Sequence, residues 1–133
     1  MGLCATAKGL TDETEFNCGY LTFGHFRIAL AKAYNDELGA IYEKHYREED
    51  LTDQEISRYD ELCDPDLDIF LFHDDGEGHF TAAECRKVYN AIKDLNMDMV
   101  GHNYGVMKPY NMLDHWKNIF NHCAKREVRL HFR

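Results

Sequence analysis

Across most of this chain the apolar positions recur three and four residues apart, the spacing that lays a single stripe along an α-helix. In "YLTFGHFRIALAKAYNDEL" the stripe is Phe23, Phe26, Leu30 and Ala33, and Asn35-Asp36 then offers a break or N-cap before "ELGAIYEKHY". Thr52 is followed three residues later by Glu55, a capping box that opens a helix whose apolar face continues through Ile56, Tyr59 and Cys63. Asp64-Pro65 ends it, because the residue before a proline is biased out of the helical region. "DLDIFLF" follows as a short buried segment that periodicity assigns to neither helix nor strand. From Thr81 to Leu95 the helical spacing of Cys85, Val88, Tyr89 and Ile92 predicts another helix. A last helix from Asn111 to Lys125 points Leu113, Trp116, Ile119, Phe120 and Cys123 inward.

The two ends alternate instead. Residues 1 to 8 run weakly in and out up to the Lys8-Gly9 turn, and "VRLHF" sets Val128, Leu130 and Phe132 against Arg129 and His131. Two such strands can pair, and an isolated pair is stable only when packed on helices. The expected fold is mainly α, in the α+β class: one domain over residues 1–133, a bundle of about five helices with a two-stranded antiparallel ribbon joining the N- and C-terminal segments. Between the last two helices, "NMDMVGHNYGVMKPY" carries two glycines and a proline without sustained period, so a loop is expected. Its Tyr104, Met107 and Tyr110 are residue types enriched at binding hot spots, and they serve equally well as a roof over the core.

Charge sharpens the picture. A net charge of −9 opposes a general grip on nucleic-acid phosphates. The charge is also uneven: Glu43 to Asp68 holds eleven carboxylates against Lys44, Arg47 and Arg58, whereas from Lys117 onward five cations face Glu127 alone. Glu48, Glu49, Asp50, Asp53, Glu55, Asp60 and Glu61 are therefore candidates for contact with a basic partner, or else the solvated faces of two helices. Five cysteines, widely spaced and without a Cys-x-x-Cys pair, fit free thiols in a reducing cytoplasm. No apolar run has the length of a membrane span or the form of a signal peptide, and nothing specifies an oligomeric state.

The segment "HDDGEGHFTAAE" carries the most specific chemistry. With His73 as first position of a calcium loop, Asp75 and Glu77 fall third and fifth, the turn glycine Gly78 sixth, Thr81 ninth and Glu84 twelfth. Alternate oxygens would face a hard cation, and Glu84 could supply two oxygens as the exit helix begins. The loop resembles a degenerate single EF-hand, which implies calcium or another divalent cation; His73, Asp75 and His79 could alternatively take a transition metal. His73 stands where that family has aspartate, and neutral imidazole is a poor ligand for calcium. Pro65 leaves a very short entering helix with only Ile69 and Phe72 at the apolar sites, and no second loop is present. The same residues have a metal-free explanation, because Thr81-Ala-Ala-Glu84 is a capping box. His73-Asp74-Asp75-Gly76-Glu77-Gly78 followed by Cys85 also resembles small phage- and prophage-encoded proteins of unknown function with a His-Ser-Asp-Cys-Asp-Gly loop. That resemblance spans about a third of the chain and implies a mobile-element origin and a mainly helical fold with a terminal ribbon, but no reaction.

His115 and His122 share a face of the last helix beside Cys123, though seven residues apart rather than the three or four that suit zinc. His25 beside Arg27 fits a partly buried histidine satisfied by a neighbour. No nucleophile elbow, phosphate loop or zinc-protease helix occurs. The expected function is that of a non-catalytic acidic interaction protein of phage or mobile-element origin. It would act as a host-defence antagonist of anti-CRISPR type that mimics nucleic acid toward a basic host protein. The alternatives are a metal-binding module built on residues 73–84 and a small hydrolase or nucleotide-binding protein.

Overall fold

A computed structural model of the chain describes residues 2–10, 16–74, 77–96 and 109–133. Its order is β1 (Gly2–Thr6), β2 (Phe16–Gly19), α1 (Tyr20–Tyr34), α2 (Asp36–Tyr46), α3 (Asp53–Leu62), α4 (Pro65–Leu71), β3 (His79–Phe80), α5 (Ala82–Ile92), α6 (Pro109–Arg126) and β4 (Leu130–Phe132).

Local side-chain chemistry starts four of these helices. Asn35 accepts a hydrogen bond from the Leu38 N–H at 3.0 Å and separates α1 from α2. Thr52 with Glu55, and Thr81 with Glu84, form complete capping boxes at α3 and α5. Asp64 accepts from the Asp66 N–H at 2.8 Å, and Pro65 occupies the first turn of α4, where its missing donor costs nothing. "DLDIFLF" is thus mostly helix, which raises the expected count of about five helices to six among the described residues.

The expected ribbon between the chain ends is present, with Ala5 opposite Phe132 and Thr6 opposite His131. It is the centre of a larger sheet, ordered β2-β1-β4-β3 with every neighbouring pair antiparallel. β2 and β3 are too short to have shown a period of their own.

One face of the sheet, with Leu3, Ala5, Phe80, Leu130 and Phe132, closes over the helices. The centre is aromatic. Phe70 of α4 lies 5.2 Å from Trp116 and 5.3 Å from Phe120 of α6, and Phe80 lies 5.3 Å from Phe132, measured between ring centroids. Of the stripe expected on α1, Phe23, Phe26 and Leu30 are fully buried and Ala33 partly so. A Cβ on Gly39 would come within 2.6 Å of the Lys32 Cα, so glycine there lets α1 and α2 pack closely. Cys85 of α5 and Cys123 of α6 are neighbours, both fully buried. The Cys85 thiol is pushed far up by its neighbour Cys123 and by burial.

Ile56 departs from expectation. The helical spacing placed it on an inward face with Tyr59 and Cys63, yet it is 47% exposed and no residue of α3 is fully buried. α3 rests against α2 instead of on the core, so only Tyr59, Leu62 and Cys63 reach the main cluster.

Candidate functional site

The end of α4 organises the surface of most interest. Buried Arg27 of α1 donates through Nη1 to the carbonyls of Phe70 (3.2 Å), Leu71 (2.9 Å) and His73 (2.7 Å). Its guanidinium also covers the Phe23 ring at 4.3 Å. Tyr42 donates to the same Leu71 carbonyl at 2.8 Å. These bonds satisfy carbonyls that a helix end leaves without partners, and they hold the chain as it leaves α4.

With the backbone held, Phe72 turns outward. Its ring meets Tyr42, His45 and Tyr59 edge-on, at centroid separations of 5.5, 5.3 and 5.7 Å. Even so it remains 47% exposed. Tyr59 is fixed beneath by donating to Asp68 at 3.0 Å, and burial pushes its phenol far above the usual range. Phe72 is therefore not the inward apolar position an EF-hand's entering helix would require. Half-exposed Ile56 and partly buried Leu51 lie beside it.

The acidic residues divide into two groups. Glu55 is committed to its capping box and to Lys44 at 3.0 Å; the Thr52 N–H and Lys44 lower its carboxyl. Glu61 and Glu37 share Arg58, whose guanidinium is pushed up by them. Glu43 is bridged by Lys32 and Arg47; the hydrogen bond from Lys32 is the main cause of its lowered carboxyl. By contrast Glu48, Glu49, Asp50, Asp53 and Asp60 are exposed and make no ion pair among the described residues. Glu48 and Glu49 line a cleft of about 520 Å³ that also contains Phe72, and Asp60 lines a smaller one that shares the same ring.

In the 73–84 segment the side chains are used locally. Thr81 Oγ1 accepts from the Glu84 N–H at 3.1 Å, and Glu84 accepts from the Thr81 N–H at 2.9 Å. His73 stacks on Phe80 at 4.0 Å, with Nδ1 2.8 Å from the Asp74 carbonyl and Nε2 3.1 Å from the His79 carbonyl. Both ring nitrogens thus face backbone oxygens rather than a shared centre. Glu77 donates its N–H to Asp74 at 3.0 Å, and Gly78 takes the positive φ of 97° expected of the turn glycine. His79 is exposed and faces His131 across the β3–β4 pair. No three His, Cys, Asp or Glu side chains among the described residues converge to hold a metal ion. Asp75, the third position, lies outside the described residues, as do Tyr104 and Met107 and the side chain of Tyr110. On α6, His122 contacts the Lys8 carbonyl at 3.0 Å, and Cys123 faces Cys85 instead of the histidines.

Compared with protein-family models, with curated proteins and with solved structures, the chain matches none. No described helix is long and apolar enough to cross a membrane. The residues that sequence reasoning missed are Phe72, Ile56 and Leu51. Helical spacing set Ile56 on an apolar face with Tyr59 and Cys63, Phe72 lay in a segment that periodicity left unassigned, and Leu51 carried no signal of its own.

Proposed function

We propose that this chain acts by binding a basic protein through the acidic face that runs from the end of α2 into α3. The observation that carries this is the division of the carboxylates. Those near Lys32, Lys44, Arg47 and Arg58 are neutralised, while Glu48, Glu49, Asp50, Asp53 and Asp60 stay exposed without ion pairs among the described residues. Such a field speeds encounter with a cationic surface and repels nucleic acid and anionic lipid. A mobile-element protein that occupies the nucleic-acid-binding surface of a host defence protein is the setting this chemistry fits, in keeping with the net charge of −9 and the loop resemblance.

The test is to convert those five carboxylates to amides and compare capture of basic proteins from bacterial lysate, at low and high salt, with that by the parent chain. The parent should retain partners that the amide variant loses, and raised salt should weaken the parent's capture. Equal capture by the two chains refutes an electrostatic role.

A further inference from the structure

Two depressions meet at Phe72. The smaller, about 80 Å³, is walled by Tyr42, Leu51, Ile56, Tyr59 and Phe72, with Asp60 also on its lining. The larger passes from Phe72 by Tyr46 to Glu48 and Glu49. Exposed apolar surface rimmed by charge is the anatomy of a protein-binding hot spot, in which an excluded-water centre is surrounded by polar groups. Phe72 is already held by three aromatic neighbours, so docking against it would cost little further ordering.

Building on the acidic binding role proposed above, we infer that this surface docks a basic amphipathic segment of a partner protein. One aliphatic side chain of that segment enters the small cleft beside Phe72, while lysines or arginines on either side face Asp60 and Glu48–Glu49. The size of the cleft supports an aliphatic residue, since an apolar cavity of about 150 Å³ is what accommodates benzene and this one is smaller. Charge complementarity selects the partner. A second copy of the chain docking through the same face would bring the same carboxylates against themselves, and a phosphate backbone or anionic membrane would be repelled for the same reason. The one buried cation on the larger depression, Arg27, has its Nη1 turned to three backbone carbonyls.

The experiment uses the full chain and two fluorescent helix-forming peptides with identical lysine content, one with leucine on every helical turn and the other with serine there. Fluorescence anisotropy should show the leucine peptide binding at least about tenfold more tightly, a difference of about 1.4 kcal/mol. Phe72→Ala should abolish that advantage. Ile56→Ser should do the same and reads the cleft from α3 if Phe72→Ala proves unstable. Glu48→Gln/Glu49→Gln/Asp60→Asn should weaken both peptides alike. Equal affinity for the two peptides, no binding of the leucine peptide at about 1 mM, or unchanged binding in both apolar variants overturns the docking site. If the peptides bind equally but the amide variant still weakens them, the acidic role survives and only the apolar cleft is lost; if the amide variant binds as the parent does, the acidic role fails too. A dimer of the parent chain that Phe72→Ala dissolves would identify a second copy as the occupant and would equally overturn the proposal.

Discussion

Phe70 and Phe72 stand two residues apart at the end of one short helix, yet their surroundings are opposite. Phe70 is fully buried among Phe23, Trp116 and Phe120, whereas Phe72 gathers three aromatic neighbours and is still 47% exposed. Aromatic clustering alone therefore does not make a core. The inner cluster is closed on every side by α1, α6 and the sheet, while the outer one is framed by α2 and by α3, a helix that buries no residue fully.

The largest expected effect separates these two rings by stability. Phe70→Ala should cost about 3–5 kcal/mol in urea denaturation, the usual result of emptying a packed aromatic site. Phe72→Ala should cost roughly 1 kcal/mol, because much of its surface is already in water. Similar losses at the two positions would mean that the outer cluster is structural core.

Next in size is the cap at α5. Thr81→Ala should lower stability by about 1 kcal/mol, equally in calcium and in chelator. Glu84→Gln keeps an oxygen for the Thr81 N–H and should be nearly neutral; a stabilisation by calcium that this variant loses would restore the metal reading of the loop.

Glu48 sharpens the comparison further. It closes α2 with a φ of 58°, its N–H bonded to the His45 carbonyl while that of Glu49 reaches Lys44, a position where glycine is usual. Glu127 does the same after α6, where Val128 bonds to Cys123. Glycine at either site should add roughly 0.5–1 kcal/mol in thermal unfolding. Only Glu48→Gly should also weaken binding of the lysine peptides, because Glu127 lies outside the clefts beside Phe72.

Much of this architecture was readable before the fold was known. Helix starts at Asn35, Thr52 and Thr81 depend on residues within three positions of each other, so the chain displays them directly, whereas Asp64-Pro65 reads only as the end of α3 and its second role as the start of α4 was hidden by the shortness of that helix. The pairing of the two ends was visible because Leu130 and Phe132 alternate with charged or polar neighbours. β2 and β3 were not, since a strand of four or two residues is defined by its partner. The outward turn of Phe72 was hidden for a related reason: it follows from Arg27 and Tyr42 holding the Leu71 carbonyl, contacts spanning 44 and 29 residues. At residues 73–84 the ambiguity was chemical, because Thr81 and Glu84 occupy the same positions in a capping box and in a calcium loop.

The smallest expected effect concerns pH. Lys32 and Arg47 hold the Glu43 carboxyl below its ordinary value, so the folded state favours its ionised form. That contribution is complete above the unfolded carboxylate range and is lost as pH falls from about 5 toward 3. For so accessible an ion pair it should amount to less than about 1 kcal/mol, and Glu43→Gln should flatten acid unfolding by that amount.

The most direct test is to measure stability and peptide affinity on the same preparation of Phe72→Ala. An outward-facing hot spot predicts a melting temperature within about 4 °C of the parent and an affinity for the leucine-bearing lysine peptide at least about tenfold weaker. A large loss of stability with unchanged affinity would contradict it and return Phe72 to the core.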